Sequence, residues 1–450
     1  MSLEGPLVVS SENPRFFTAG SGDEAVYLVG SNLWNNLQDG AGLGSCDQPG
    51  PSFDWTAYLD FLESHHMNFI RGWRWEHFTF KLPPDLDTGG PYCVAPHPWR
   101  RSGPGLAYDS EPRFDLATFD ETYFDRLRAR IIEAGDRGFY VSVMLFEGFC
   151  LHECEDDTMV AGHPFDGQNN VNDIDIDSIE EYQSANVAEP VVALQRAYVR
   201  KVIDTVHDLD NVLYEVANES WTGSVSWQYE VIDYVKQYES EMDYQTHPVG
   251  MSAIWPQGRD AWLFESPADW IMPGTYPPVE DYRNDPPAAT GAKVIISDQD
   301  HYAPCDVDAV WAWRSFTRGL YSSQLDGGIG DPTQPNPDFD FLEPARLAQG
   351  DVRRLVDEID LLATEPRGDL TSTGYALAIP GVEYVILQPE PDAGFTATLA
   401  AGTYRPRWFN VETRTWTAAP EITAVDEQVV DFTPPFASPP GPSVLYLRAV

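Results

Sequence analysis

Between residues 25 and 362, short apolar runs alternate with amphipathic stretches, and this alternation limits the folds open to the chain more than any other feature. The runs are Ala25-Val-Tyr-Leu-Val-Gly30, Asn68-Phe-Ile-Arg-Gly-Trp73, Phe139-Tyr-Val-Ser-Val-Met-Leu145, Val212-Leu-Tyr-Glu-Val216, Val249 to Ile254, Asp269-Trp-Ile-Met272, Val294-Ile-Ile-Ser297 and one around Leu320. Helical patterns fall between them, near Trp55 to His65, Thr118 to Ala134, Pro190 to His207, Trp227 to Tyr238, Val307 to Thr317 and Pro344 to Leu362. In the second of these, charged residues separate Tyr123, Phe124, Leu127, Ile131 and Ile132 at helical spacing. Eight apolar runs alternating with helical patterns predict a (β/α)8 TIM barrel of the α/β class rather than an open doubly wound sheet. No G-x-G-x-x-G follows the first run, which removes the main support for a dinucleotide-binding open sheet.

From about residue 366 the texture changes to short aromatic or β-branched segments bounded by Gly, Pro and Asp, such as Glu383-Tyr-Val-Ile-Leu387 and Val444-Leu-Tyr-Leu447. That pattern predicts a small all-β sandwich. The expected organisation is a barrel over residues 1–365, opened by a hairpin around Asn13-Pro-Arg-Phe-Phe-Thr18, and a sandwich over 366–450.

Composition narrows the partners. The 450 residues carry 71 Asp plus Glu against 28 Lys plus Arg, a net charge of -43, and the bases are 24 Arg and only four Lys. A disordered acidic chain would be poor in aromatics, yet aromatics make up 13% here, enough for a large core. Such a charge repels nucleic acid and anionic membranes, so neither is an expected partner. The near-loss of lysine points to concentrated salt, where the Debye length falls to about 3 Å and self-repulsion is screened. A halophilic protein is the expectation. Five cysteines, an odd number, do not make a disulfide framework, and a reducing interior is expected. The opening Met1-Ser-Leu-Glu-Gly-Pro has no basic region, and no apolar run approaches the roughly 20 residues of a membrane span, so a cytoplasmic location is expected.

In a barrel, working residues sit at the C-terminal ends of the strands. Here those ends read Ser31-Asn-Leu-Trp-Asn-Asn36, Arg71-Gly-Trp-Arg-Trp-Glu-His77, Phe146-Glu-Gly148, Ala217-Asn-Glu-Ser-Trp221 and Ser297-Asp-Gln-Asp-His301. Carboxylates and aromatics crowd them and lysine is absent. Aromatic faces stack on sugar rings, carboxylates bind hydroxyls, and two carboxyls across a glycosidic bond can hydrolyse it. A carbohydrate is therefore the expected partner.

Asn218-Glu219 ending the fourth strand, Arg71 in the second and an acidic residue ending the seventh resemble the superfamily of retaining (β/α)8 glycoside hydrolases, which includes cellulase-like enzymes. The resemblance implies that Glu219 is the general acid/base, that Asn218 binds a sugar hydroxyl, and that Arg71 holds the nucleophile on strand seven. The nucleophile position departs from the pattern, with Asp298 where the superfamily usually has Glu. Asp is one methylene shorter, and retaining chemistry needs carboxyls about 5 to 5.5 Å apart against about 6.5 to 9.5 Å for inverting. Three outcomes stay open: a closer backbone, an inverting mechanism, or Asp300 as the working group. Trp34, Trp75, Glu147, His301 and Tyr276 complete the candidate substrate-binding set. A non-catalytic glycan-binding protein on the same barrel is the alternative.

No cofactor or metal is expected. Asp173-Ile-Asp-Ile-Asp177 begins like a calcium loop, but Ser178 and Ser184 stand where Gly and a bidentate Glu are needed. Cys150-Leu-His-Glu-Cys154 lacks a second Cys/His pair at zinc spacing.

Overall fold

The computed structural model describes the chain except residues 1–4, 21, 23, 43–51, 84–90, 155–159, 275–280, 303–306, 328–336 and 437–440. Eight parallel strands close into a barrel: Val29–Asn32, Phe69–Gly72, Tyr140–Glu147, Val212–Asn218, Val249–Ser252, Trp270–Met272, Val294–Asp298 and Tyr321–Leu325, with the eighth pairing the first. Helices flank it: α1 (Trp55–Ser64), α2 (Glu121–Asp136), α3 (Glu189–Val206), α4 (Val225–Glu241), α5 (Asp260–Glu265), α6 (Ala309–Thr317) and α7 (Glu343–Val356). The expected (β/α)8 barrel is what the chain forms.

Local chemistry explains the element ends. Asp120 caps α2 by accepting from Thr122 N–H, and Tyr123, Phe124, Leu127 and Ile131 face inward along one stripe. Two asparagines pin the barrel floor. Asn68 accepts from Val29 N–H at 3.0 Å and donates to Tyr27 O at 2.9 Å, while Asn211 donates to Ile131 O at 2.9 Å and Phe139 O at 3.0 Å. Gly30 brings the first and second strands together, since a Cβ there would lie 2.0 Å from Phe69 O.

The first apolar run is divided. Ala25–Val26 pairs with Phe17–Ala19, which pairs with Leu7–Val9 in a three-stranded antiparallel sheet, and the barrel strand starts at Val29. The Pro- and Gly-rich excursion after the second strand contains the hairpin Trp99–Leu106 with Pro112–Phe119. It also holds Thr79–Phe80 and Tyr92–Ala95, which form a three-stranded sheet with Asp39–Gly42. The latter sheet buries Phe80, Tyr92 and Val94 against Trp73, Trp75 and Met144, and so walls one side of the barrel's C-terminal end.

C-terminal antiparallel sheets follow, beginning at Glu365–Pro366. Alternation along their strands serves two cores at once. Leu377, Val385, Leu387, Phe409, Val444 and Tyr446 join the barrel core, with Phe409 5.4 Å from Trp313 of α6. Their neighbours Ala376, Tyr384, Ile386, Trp408, Leu445 and Leu447 face the two-stranded sheet of Phe395–Leu399 and Gln428–Phe432. Among the described residues no helix is long and apolar enough to cross a membrane.

The cysteine expectation needs correction. Cys150 and Cys154 are joined in a disulfide, and Cys93 is disulfide-bonded too. A 3-10 turn over Phe149–Leu151 brings the Cys150 and Cys154 Cα atoms to 4.4 Å, within the range a disulfide spans.

Candidate active site

Parallel register sets the site at one level. Glu147, ending the third strand, is paired with Asn218, ending the fourth; Asn32 of the first is paired with Arg71 of the second. Asp298 ends the seventh strand and is paired with Ser323, and Asp300 and His301 follow in the 3-10 turn Gln299–His301. The strand ends therefore bring Arg71, Glu147, Asn218, Glu219, Asp298, Asp300 and His301 together. Tyr276 lies outside the described residues.

Arg71 is the hub. Its Nε and Nη2 donate to Glu215 at 2.9 and 2.6 Å, Nη2 also donates to Asn218 Oδ1 at 2.6 Å, and Nη1 lies 3.2 Å from both Asp298 Oδ2 and Asp300 Oδ2. The Trp73 ring covers the guanidinium at 5.0 Å. Burial opposes the Arg71 charge, but Glu215, Asp298 and Asp300 outweigh it and keep the guanidinium protonated. Glu215, which also accepts from Ser252, is absent from the set that the sequence suggests. Its signal is a carboxylate in the middle of an otherwise apolar strand, which a barrel interior tolerates only when paired.

Asp298 and Asp300 are placed differently. Asp298 is fully buried and accepts from Asp300 N–H at 3.3 Å, whereas the Asp300 side chain is 8% exposed. Burial pushes Asp298 up to about 8, with Arg71 opposing, and pushes Asp300 up to about 6, again with Arg71 opposing. Glu219 is partly exposed and sits at φ 41°, a left-handed conformation that costs a non-glycine residue energy. Burial raises its pKa well above the usual carboxylate range, and Asp300 adds the strongest repulsion, ahead of Glu147 and Asp298. Asp300 is thus the strand-seven charge that acts most on Glu219.

Glu147 accepts from Phe149 N–H at 2.6 Å and Cys150 N–H at 3.2 Å, yet burial, with Glu76 adding repulsion, pushes it up to about 8. His301 Nε2 lies 3.4 Å from Asn218 Oδ1, and burial lowers its pKa, so the ring is neutral. Of the tryptophans, Trp34 is partly exposed, whereas Trp75 is 1% exposed, packed 4.3 Å from the Phe80 ring at a tilt of 31°, with its Nε1 donating to Trp34 O. Trp75 supports the wall, and Trp34 is the member of the pair whose surface reaches solvent.

Among the described residues two groups have metal-ligand spacing, His77–Glu147–Cys150 and Asp298–Asp300–His301. In the first, the sulfur is committed to the disulfide. In the second, the Arg71 guanidinium 3.2 Å from both carboxylates already supplies the positive charge a cation would bring. Neither donor set fits a metal ion.

Comparison with known proteins bears on the fold. Residues 85–263, which include Glu147, Asn218 and Glu219, match a domain of unknown function, DUF6298. No curated protein matches by sequence. A solved structure of a glycoside hydrolase superposes with a TM-score of 0.63 at 13% identity, covering 99% of this chain and 97% of that one. A glycoside hydrolase family 5 protein from Bacteroides vulgatus superposes with a TM-score of 0.61 at 13% identity, covering 99% of this chain and 94% of that one. At such identity the likeness establishes architecture: the chain has a glycosidase-like barrel.

Proposed function

We propose that the protein is a glycoside hydrolase that cleaves O-glycosidic bonds of an oligo- or polysaccharide, with Glu219 as acid/base and Asp300 as the attacking carboxylate. The observation that carries this reading is the convergence of the strand ends at Arg71, whose guanidinium lies 3.2 Å from both Asp298 and Asp300 and also binds Asn218, the residue before Glu219. Asp300, raised only to about 6, ionises first near neutral pH, and its charge then helps keep Glu219 protonated. That is the division of labour hydrolysis requires.

In the first step the Glu219 carboxyl gives its proton to the glycosidic oxygen as the bond to the anomeric carbon breaks. Asp300, oriented by Arg71, bonds to that carbon from the opposite face. In the second step Glu219, now ionised, takes a proton from water, whose oxygen displaces Asp300 and releases the sugar. Asp298 is the nucleophile by position in the superfamily pattern. Its full burial and raised pKa favour a supporting role beneath Asp300 instead. Asn218, Glu147 and His301 line the sugar position, and Trp34 offers the aromatic face.

Glu219→Gln should lower kcat on an aryl glycoside by about 10²- to 10⁴-fold without lowering the melting temperature. A Glu219→Gln protein with full activity would sink the assignment. Proton NMR of the first-formed sugar anomer tests the double displacement: net retention supports it, and inversion makes Asp300 or Asp298 a base for water instead. Binding of glycans without turnover by the unmodified protein would favour the glycan-binding alternative.

A further inference from the structure

The loop after the third strand is tied to the backbone of the catalytic bend at successive residues. Gly148 N–H donates to Asn218 O at 2.8 Å, and His152 Nε2 donates to Glu219 O at 2.9 Å; on the other side Trp255 N–H donates to Ser220 O at 3.1 Å. Contact at Gly148 is close enough that a Cβ there would meet Ser220 Cα at 2.5 Å. His152 lies between Cys150 and Cys154, so the disulfide closes the short loop that carries it. Both sulfurs are buried among the aromatics of the site wall, with Trp73, Trp75 and Tyr92. Glu219 itself needs outside support, because a non-glycine residue at φ 41° relaxes unless its neighbours hold it.

We propose that the Cys150–Cys154 loop is a brace for the catalytic bend, with His152 as a positioning residue that holds the Glu219 backbone so that its carboxyl meets the glycosidic oxygen. The inference rests on the glycosidase reading of Glu219. The disulfide removes the freedom of the loop to leave the bend, and His152 transmits that restraint to the one carbonyl between Asn218 and Ser220 that no backbone donor reaches from Gly148 or Trp255. His152 touches neither sugar nor reacting atoms; it acts through Glu219. Because the disulfide must form for the brace to exist, an oxidising step during maturation follows from it.

The test uses His152→Ala, His152→Gln and the double variant Cys150→Ala/Cys154→Ala in the full chain. Reductant alone is a poor probe, since it would also attack the disulfide of Cys93. His152→Ala should lower kcat by about 10- to 100-fold with KM little changed, the scale expected when a catalytic group is misplaced by about an ångström. His152→Gln, which keeps a side-chain N–H donor, should restore part of the loss, and the double variant should fall in the same direction. Hydrogen exchange of the peptide spanning residues 213–224 should speed up in His152→Ala and in the double variant. Wild-type kcat in His152→Ala, or unchanged exchange in both variants, overturns the brace. If no glycoside is turned over by the unmodified protein, the glycosidase reading fails, and the exchange measurement still decides the brace. Should the double variant not fold, the His152 pair, altering a partly exposed side chain, decides the same question.

Discussion

At residue scale the decisive contrast is between two aspartates in one turn. Asp298 ends a strand whose five residues are all buried, and its carboxyl is held there by Arg71 and the Asp300 amide. Asp300 follows in the 3-10 turn, keeps contact with the same guanidinium, and repels the Glu219 charge more than Asp298 does. Asp300→Asn should therefore lower kcat by about 10³-fold or more, whereas Asp298→Asn should cost far less, about 10-fold, and act through the acid limb of the pH profile. Steady-state kinetics on both variants checks the assignment, and the reverse order would return the nucleophile to Asp298. The pH profile of kcat/KM follows from the same shifts. Asp300 must be ionised, so activity should be lost as pH falls through about 6, and Glu219 must be protonated, so activity should be lost again as pH rises through its raised pKa.

Elements were the most legible level. Strand runs and helical stripes lie in the sequence within a few residues of their places in the barrel, because periodicity two and periodicity 3.6 are local consequences of which face is buried. The exceptions are α5, which no stripe in the sequence marks, α7, which ends at Val356 short of Leu362, and the first run, where Ala25 and Val26 are drawn into the N-terminal sheet and Asn68, just before the next strand, sets the true start at Val29. Such a side-chain clasp between elements has no periodic signature. Asn211 is its counterpart below the fourth strand, remote from the candidate site. Asn211→Ala would remove both hydrogen bonds to the Ile131 and Phe139 carbonyls, and should lower stability by about 1–3 kcal/mol while leaving kcat/KM at 25 °C unchanged. Denaturant unfolding alongside kinetics tests both halves. A fall in kcat/KM without loss of stability would show that the barrel floor is coupled to the site.

For the whole molecule, the net charge of -43 and the few buried carboxylates act in opposite places but with the same sign. Surface acids repel one another, so the melting temperature should rise from dilute buffer to molar KCl; identical values would remove the halophile reading. Inside, Glu147 is held neutral by burial with a folded pKa of about 8 against an ordinary 4.5. Above 4.5 the unfolded chain ionises there and the folded one does not, so this group lowers stability as pH rises, until it ionises in the fold near pH 8. Glu147→Gln should gain on the wild type in melting temperature as pH rises from about 5 to about 8. A difference that stays flat with pH would show that Glu147 is ionised in the folded protein.

The sequence by itself determined the barrel, the sheets after it and the strand ends where Arg71, Asn218 and Glu219 would meet, because each depends on local pattern and on the order of strands. Only the tertiary structure decided what those residues face. Glu215 beneath Arg71, Asp300 on the same guanidinium as Asp298, and the disulfide loop clasping the Glu219 carbonyl all depend on contacts between segments roughly 65 to 230 residues apart. In a chain with 71 acidic residues, charge alone could not rank one Asp above another. Burial could, because with Arg71 3.2 Å from both Asp298 and Asp300 it is burial that sets which carboxyl ionises and which keeps its proton.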